Sequence, residues 1–400
     1  MIRTSVLVMM ASGLNSLLGF FFWIVAAQKF TDNEVGLAGA AVPAFSLAAL
    51  ITSAGAIPTL LVLVARKEFP KTLAIKSSAF LVLSTGVVAW IILQVSSGDV
   101  AELRSDNAML WLVIIGAALT AFTGCVDSIF ISSRRPGLMV IRNFIMAAGK
   151  LVALILVRDG DARTIVTTWV LFLGISALMG IYAVSLLDDG RNLPADIRNI
   201  WFANHLGAIG GQIPTFILPL VVASQLGASV NAKFYMAWLI AGAFFLISPA
   251  VATSLISEVS RDAEHTKNHV LHATRLAFGL VIPTTVVVAI FAEPILGVFG
   301  PQYRDAKMIL IILLISAYPD TVTNLAIGVL RATNRASQAA WLNITMAGIA
   351  ITMAISTAQF GVKWVAGSWL VAQSFGTLIV AIAVLKNRNT TQNSTVSNFN

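Results

Sequence analysis

Charge is scarce in this chain of 400 residues: only 11% are Asp, Glu, Lys or Arg, where an average soluble domain carries about 25%. That supply cannot cover a surface wetted on all sides, so a water-soluble fold is excluded. Cysteine is nearly absent as well. Cys125 stands alone, which rules out an intrachain disulfide and leaves the redox compartment unread. No P-loop, no Ser/His/Asp arrangement and no pair of catalytic carboxylates is present. Nothing therefore points to an enzyme, an ATP-driven pump or a bound cofactor. Of the four histidines, His265, His269 and His272 fall in one polar stretch that reads as a solvated amphipathic segment with no metal site.

Apolar residues make up 58% of the chain and recur in blocks of roughly twenty. A helix rising 1.5 Å per residue needs about that length to cross about 30 Å of hydrocarbon. Backbone polar groups in lipid must be satisfied within the segment, so the blocks are helices. The expected fold is an all-α integral membrane protein. Its twelve spans lie near 5–27, 39–65, 78–97, 109–131, 138–157, 164–187, 205–225, 232–255, 273–292, 307–330, 338–359 and 364–385. The second and seventh, which contain Gly and Pro, are expected to be the least regular. Arg3 followed by an apolar run to Ala27 reads as an uncleaved first span.

The net charge of +8 suits nucleic acid poorly, because the basic residues sit at helix ends and form no stripe. Sixteen Lys and Arg fall on the side shared by both termini and eight on the other. That excess places both termini in the cytoplasm of a plasma-membrane protein and agrees with an even number of spans.

The polar run at 188–199 divides the chain. The expected organisation is an N-terminal six-helix lobe (1–187), a cytoplasmic linker (188–204), a C-terminal six-helix lobe (205–385) and a disordered tail (386–400). At an offset of 200, Thr123 lies over Thr323, Arg135 over Arg335, Asn143 over Asn343, and Met146-Ala147 over Met346-Ala347. Six spans per half make such a repeat parallel, related by a pseudo-two-fold axis along the membrane normal.

Four charges fall inside the spans, where each costs at least about 2.5 kcal/mol. Asp127 and Arg142 flank a short hairpin at similar depth and can pair. Lys150 is near the midplane, and Asp320 reaches comparable depth in the other half. Three readings stand open for these two: an ion pair with each other, an anionic substrate on Lys150, or a coupling proton or cation on Asp320. Asn15 and Gln28 in the first span, and Asn204, His205 and Gln212 in the seventh, can line a wet cavity or bond between helices. His205 reads as an interfacial, solvated imidazole. The candidate substrate-binding set is Lys150, Arg142, Asn15, Asn204 and Gln212, and the candidate coupling or gating set is Asp320 and Asp127.

GFFFWIVAAQKFTDNEVGLAGAA at 19–41, with Val35-Gly36 opening the second span, resembles the first-span signature of the polysaccharide branch of the multidrug/oligosaccharidyl-lipid/polysaccharide (MOP) flippase superfamily. FILPLVVASQLGASVNAKFYMAWLI at 216–240 is similar to the matching element of the second half. The turn of Phe299, Gly300 and Tyr303 resembles the one that opens the tenth span in that superfamily, and the turn at 331–343 also fits. The resemblance covers nearly the whole chain. It implies two six-helix bundles around a central V-shaped cavity that opens alternately to each face. The implied cargo is a polyprenyl-diphosphate-linked oligosaccharide, with membrane lipids, a polysaccharide polymerase and glycosyltransferases as the implied surroundings. The additional helices of lipid II flippases, and their arginines in the first two spans, are missing here, which lowers that cargo. A diphosphate wants cations in a desolvated cavity. Lys150 and Arg142 can supply them there, with Arg275 and Arg331 at the cytoplasmic mouth. A cation-coupled drug exporter of the same superfamily, a non-transporting scaffold and an integral membrane glycosyltransferase are the competing readings. The loops are too short for the last.

Overall fold

The structure is a computed structural model that describes residues 2–187 and 197–397. The linker segment 188–196 lies outside the described residues. Among the described residues every regular element is α-helix or a short 3-10 turn. In chain order, the first half has α1 (Ile2–Lys29), α2 (Asp32–Ser53), α3 (Ala56–Ala65), α4 (Lys71–Val95), α5 (Glu102–Ser105), α6 (Asn107–Ser132), α7 (Pro136–Leu156) and α8 (Ala162–Ser185). The second half has α9 (Ile197–Leu226), α10 (Ala228–Phe245), α11 (Ile247–Arg261), α12 (Thr266–Ile290), α13 (Ala292–Gly297), α14 (Lys307–Ala332), α15 (Ala336–Thr357) and α16 (Val362–Ser397). Eight helices thus follow eight in matching order and similar lengths. Among the described residues eleven segments are long and apolar enough to cross a membrane, and α1, 28 residues long, occupies the place of a twelfth. The chain is an all-α, multi-pass membrane protein.

Two of the twelve spans are broken, and proline explains both. Pro58 has no N–H to give the Ala54 carbonyl and its ring crowds that oxygen, so α2 stops at Ser53 and α3 restarts at Ala56. Pro249 acts the same way on Phe245, where α10 stops before α11. The second span is irregular, as expected. The seventh is not: α9 runs unbroken through Pro214 and Pro219, and the second irregular span is the eighth. α16 runs on through the polar stretch from Lys386 to Ser397, with neither Gly nor Pro there to stop the helix, and the last three residues of the expected tail lie outside the described residues.

The hairpins α6–α7 and α14–α15 repeat in backbone detail. Arg134 (φ 58°) and Asn334 (φ 59°), 200 residues apart, both end their helix in the left-handed conformation. The next amide reaches back five residues in each case, Arg135 N–H to Phe130 O at 2.9 Å and Arg335 N–H to Leu330 O at 2.7 Å. These are paired Schellman ends. Lys67 (φ 58°) closes α3 likewise, with Glu68 N–H donating to Leu63 O at 2.9 Å.

The chain forms two compact units. Unit 1 holds residues 1–236 and 296–305; unit 2 holds 237–295 and 306–400. In unit 1, α2 is the central helix, packed on α4, α6, α8 and α9, and 78% of its most apolar window is buried against 17% for α4. The outer faces of α4 and α8 keep Phe80, Leu83, Val87, Leu178 and Ile181 exposed, which is a lipid-facing surface. In unit 2, α14 takes that central place against α11, α12 and α16.

Candidate functional site

Lys150 is 2% exposed on α7, and its ammonium sits on aromatic faces. Its Nζ lies 3.1 Å from the Trp169 ring centroid and 5.3 Å from that of Phe22. Trp23 packs on Phe22, Trp169 and Tyr235, so α1, α8 and α10 build a ring-lined box around a cation carried by α7. Desolvated cation–π contacts are worth about 2 kcal/mol or more, enough to offset much of the cost of the charge. No carboxylate pairs with Lys150 among the described residues of its unit. The partners of its amine in the box are therefore aromatic faces and no anion.

Arg142, about two helical turns before Lys150 on α7, is committed elsewhere. It grips Asp127 with two parallel bonds, Nε to Oδ1 at 2.9 Å and a terminal nitrogen to Oδ2 at 2.6 Å. It also donates to Ser176 Oγ at 3.2 Å and Asn143 Oδ1 at 2.9 Å. Asn143 in turn donates to Asp127 at 3.4 Å. The two residues form the pair that their depth suggested, and the guanidinium is left with little to offer a ligand.

In unit 2 the buried charge is Asp320, 5% exposed. Ser248 Oγ donates to Asp320 Oδ2 at 2.7 Å, and Asn324 Nδ2 donates to Ser248 Oγ at 3.4 Å and to the Asp320 carbonyl at 2.9 Å. Ser248 is the second residue of α11, so the carboxylate lies at the helix end created by Pro249, where amide dipoles favour an anion. No cation pairs with it among the described residues. Below it, Thr323 donates to Gln373 Oε1 at 2.8 Å and Thr377 to the Pro319 carbonyl at 3.1 Å, tying α14 to α16.

The break between α2 and α3 is also answered by a polar side chain. His205 Nδ1 accepts the freed Gly55 N–H at 3.1 Å, and the imidazole stacks on Trp201 at 4.5 Å. The solvated imidazole expected from the sequence is instead a structural acceptor. Asn15 keeps a buried Oδ1 without a partner, Asn204 is half-buried and Gln212 exposed, and no hydrogen bond joins any of them to Lys150. Asp262, passed over in the sequence, accepts from His265 at 3.0 Å and lies 3.3 Å from His269. No group of three ligands that could hold a metal ion occurs among the described residues.

At the end of unit 1 where α1 turns into α2, residues of both sequence halves meet in a tight seam. A Cβ on Gly36 would lie 1.7 Å from the Ala228 carbonyl oxygen, and one on Gly98 would lie 2.1 Å from that of Ser224. Only glycine lets these backbones touch. Asn231, wholly buried, donates to the Gly36 carbonyl at 2.9 Å, and Asp99 accepts the Ala228 N–H at 2.7 Å. Gln28 donates to the Val298 carbonyl and Gln302 to Asp32, while Lys233 pairs with Asp305 at 2.9 Å.

Sequence reasoning found Lys150 and Asp320 but missed what surrounds them: Phe22, Trp169, Ser248 and Asn324. Two signals were available. Trp169 and Trp369 are 200 residues apart, and Asn324 follows Asp320 by one helical turn.

No family model and no curated protein matches this chain. Solved structures do. The lipid II flippase MurJ in an inward closed conformation is similar at a TM-score of 0.75 and 15% identity, over 96% of this chain and 87% of that one. A multidrug-resistance MATE transporter of the MOP superfamily, facing inward, gives 0.70 and 16%, over 93% and 96%. A MOP superfamily transporter from Pyrococcus furiosus, with a binding pocket of reverse polarity, gives 0.56 and 14%, over 94% and 93%. This chain shares its fold with these solved structures.

Proposed function

We propose that this chain is a membrane transporter that flips a polyprenyl-diphosphate-linked oligosaccharide across the plasma membrane by alternating access between its two six-helix lobes. The observation that carries the cargo is Lys150: a buried ammonium on aromatic rings, with no carboxylate pairing it among the described residues of its unit. Such a charge gains most from an anionic headgroup brought into the same low-dielectric space. Rings beside it suit the apolar faces of sugars. The excess of Lys and Arg at one end of the spans supports a cytoplasmic position for both termini and, with it, the opposite face for the glycine seam. On this reading the seam is the outer gate and the linker at 188–204 joins the lobes.

The test is translocation of a headgroup-labelled polyprenyl-diphosphate sugar in proteoliposomes. Lys150→Met keeps the stem and removes the charge. It is expected to lower the rate at least tenfold while membrane level and monodispersity hold. A rate equal to the parent's, at equal protein, would remove Lys150 from the cargo path. A cation-coupled exporter is the second reading, favoured by the uncompensated Asp320. If it is right, Asp320→Asn abolishes the dependence of transport on an ion gradient and Lys150→Met leaves it.

A further inference from the structure

Within unit 1, a cavity of ≈ 400 Å³ lies between α2, α3, α4, α6 and α9, apart from the aromatic box of Lys150. Its walls are apolar, with Leu60, Leu63, Leu81, Phe122, Val126 and Ile129 among them, and no charged side chain lines it. The hydroxyls that do line it are largely committed: Thr59 donates to the Gly55 carbonyl at 2.7 Å, Ser77 to Ala74 at 3.2 Å and Ser84 to Leu81 at 3.1 Å. A sugar or an ion would find few partners here, whereas a hydrocarbon chain would find close-packed walls. Ser77 and Phe80, on the outer side of α4, are exposed, so the cavity opens on the lipid-facing helix.

One turn beyond the cavity, the chain becomes basic. Arg66, Lys67, Lys71 and Lys76 fall within eleven residues, with Glu68 the sole acid among them. Lys71, Ala74 and Ser78 follow one face of α4 at helical spacing, and the last two line the cavity. Lys76 stands one turn before Phe80 on the neighbouring face. Pro70 caps α4 with no side-chain bond, so the first amides of a 25-residue helix add their positive end to the same place.

We infer that this cavity takes one acyl chain of an anionic phospholipid from the bilayer, whose phosphate is held by Lys71 and Lys76 at the start of α4. An apolar cavity with a basic rim at the membrane surface has the chemistry of such a lipid. A neutral phospholipid would leave the rim unused, and a soluble phosphate would leave the cavity unused. The site goes beyond the transport reading and takes from it only the leaflet, which is cytoplasmic in the proposed orientation.

The test measures lipid retention and needs no transport, so failure of the flippase reading would not affect it. The full-length protein in mild detergent is titrated with phosphatidylglycerol or with phosphatidylcholine of the same chains, and bound lipid is counted by native mass spectrometry. Phosphatidylglycerol is expected to be retained in preference to phosphatidylcholine. The double variant K71Q/K76Q, altered at a surface turn, is expected to hold it about thirtyfold more weakly, from about 1 kcal/mol per lysine. Ser78→Phe, which fills the cavity, is expected to reduce retention with the lysines intact. Glycerol 3-phosphate, a headgroup without chains, is expected not to compete. Equal retention of the two lipids would overturn the assignment. So would undiminished phosphatidylglycerol binding by K71Q/K76Q or by Ser78→Phe, or displacement by glycerol 3-phosphate.

Discussion

At the scale of single residues, three positions are decided by room for one atom or one charge. Gly36 has a carbonyl oxygen where a methyl would go, and that oxygen belongs to a helix backbone that cannot swing aside. Gly36→Ala is expected to cost about 1–3 kcal/mol through overpacking, read as a lowered melting temperature of the purified protein. Gly348, with open space around it, serves as the control. Arg134 shows the opposite case: a side chain sits in a backbone conformation that costs an L-residue about 1–2 kcal/mol. Arg134→Gly is therefore expected to stabilise by about 1 kcal/mol, and Asn334→Gly by less, since asparagine tolerates that region. Asp127 and Arg142 form the third. Removing either leaves the other buried without its ion-pair partner, so Asp127→Ala is expected to destabilise by about 3–5 kcal/mol before any effect on transport is measured. Depth in a span was enough to nominate Lys150, Asp320, Arg142 and Asp127. It could not separate the charges that are paired from those that are not, because a hairpin sets which helices are neighbours but not which faces meet.

At the scale of elements, the long apolar helices were legible because hydrocarbon thickness fixes their length. The breaks were legible only in part. Proline marks a span as vulnerable, but seven prolines lie within these spans and two interrupt them. Whether the freed backbone group finds another partner decides the outcome, and that partner is remote in sequence. His205 supplies it to Gly55 from 150 residues away. Asp99 does the same for the start of α10, capping Ala228 across 129 residues. Asp99→Ala is expected to cost about 1 kcal/mol, read as faster hydrogen exchange at the Ala228–Asn231 amides. The turn between α11 and α12 carries the pH response. The His265 hydrogen bond holds the Asp262 carboxyl below the usual carboxylate range against the opposing effect of desolvation, and His269 adds to it. A depressed acid contributes stability above its ordinary range and loses it as pH falls through its folded value. The turn should therefore loosen under acid, seen as increased proteolysis there, and Asp262→Asn should remove that acid-side step.

At the scale of the whole molecule, the duplication seen faintly in five identities is plain in the order of the helices and in two helix ends 200 residues apart. The compact units do not follow the midpoint of the chain, however. Unit 1 extends through α9 and into α10, and α9 covers α2. Sequence halves were readable from polarity and repeats, whereas α9's choice of neighbour depends on side-chain fit that no pattern encodes. Residues 1–196 expressed alone are thus expected to be degraded, since α2 loses its cover. Co-expression with 197–400 as a separate chain should restore the membrane level of both, measured by immunoblot. Failure of the second chain to rescue the first would show that the linker does more than connect.

The lone cysteine takes on a use from its position. Cys125 is 8% exposed and lines the cavity under α4. The unmodified chain thus carries a single built-in thiol, and a maleimide dissolved in the bilayer reads the cavity by its rate of reaction. A lodged chain shields the sulfur and slows the clock; an empty cavity lets it run.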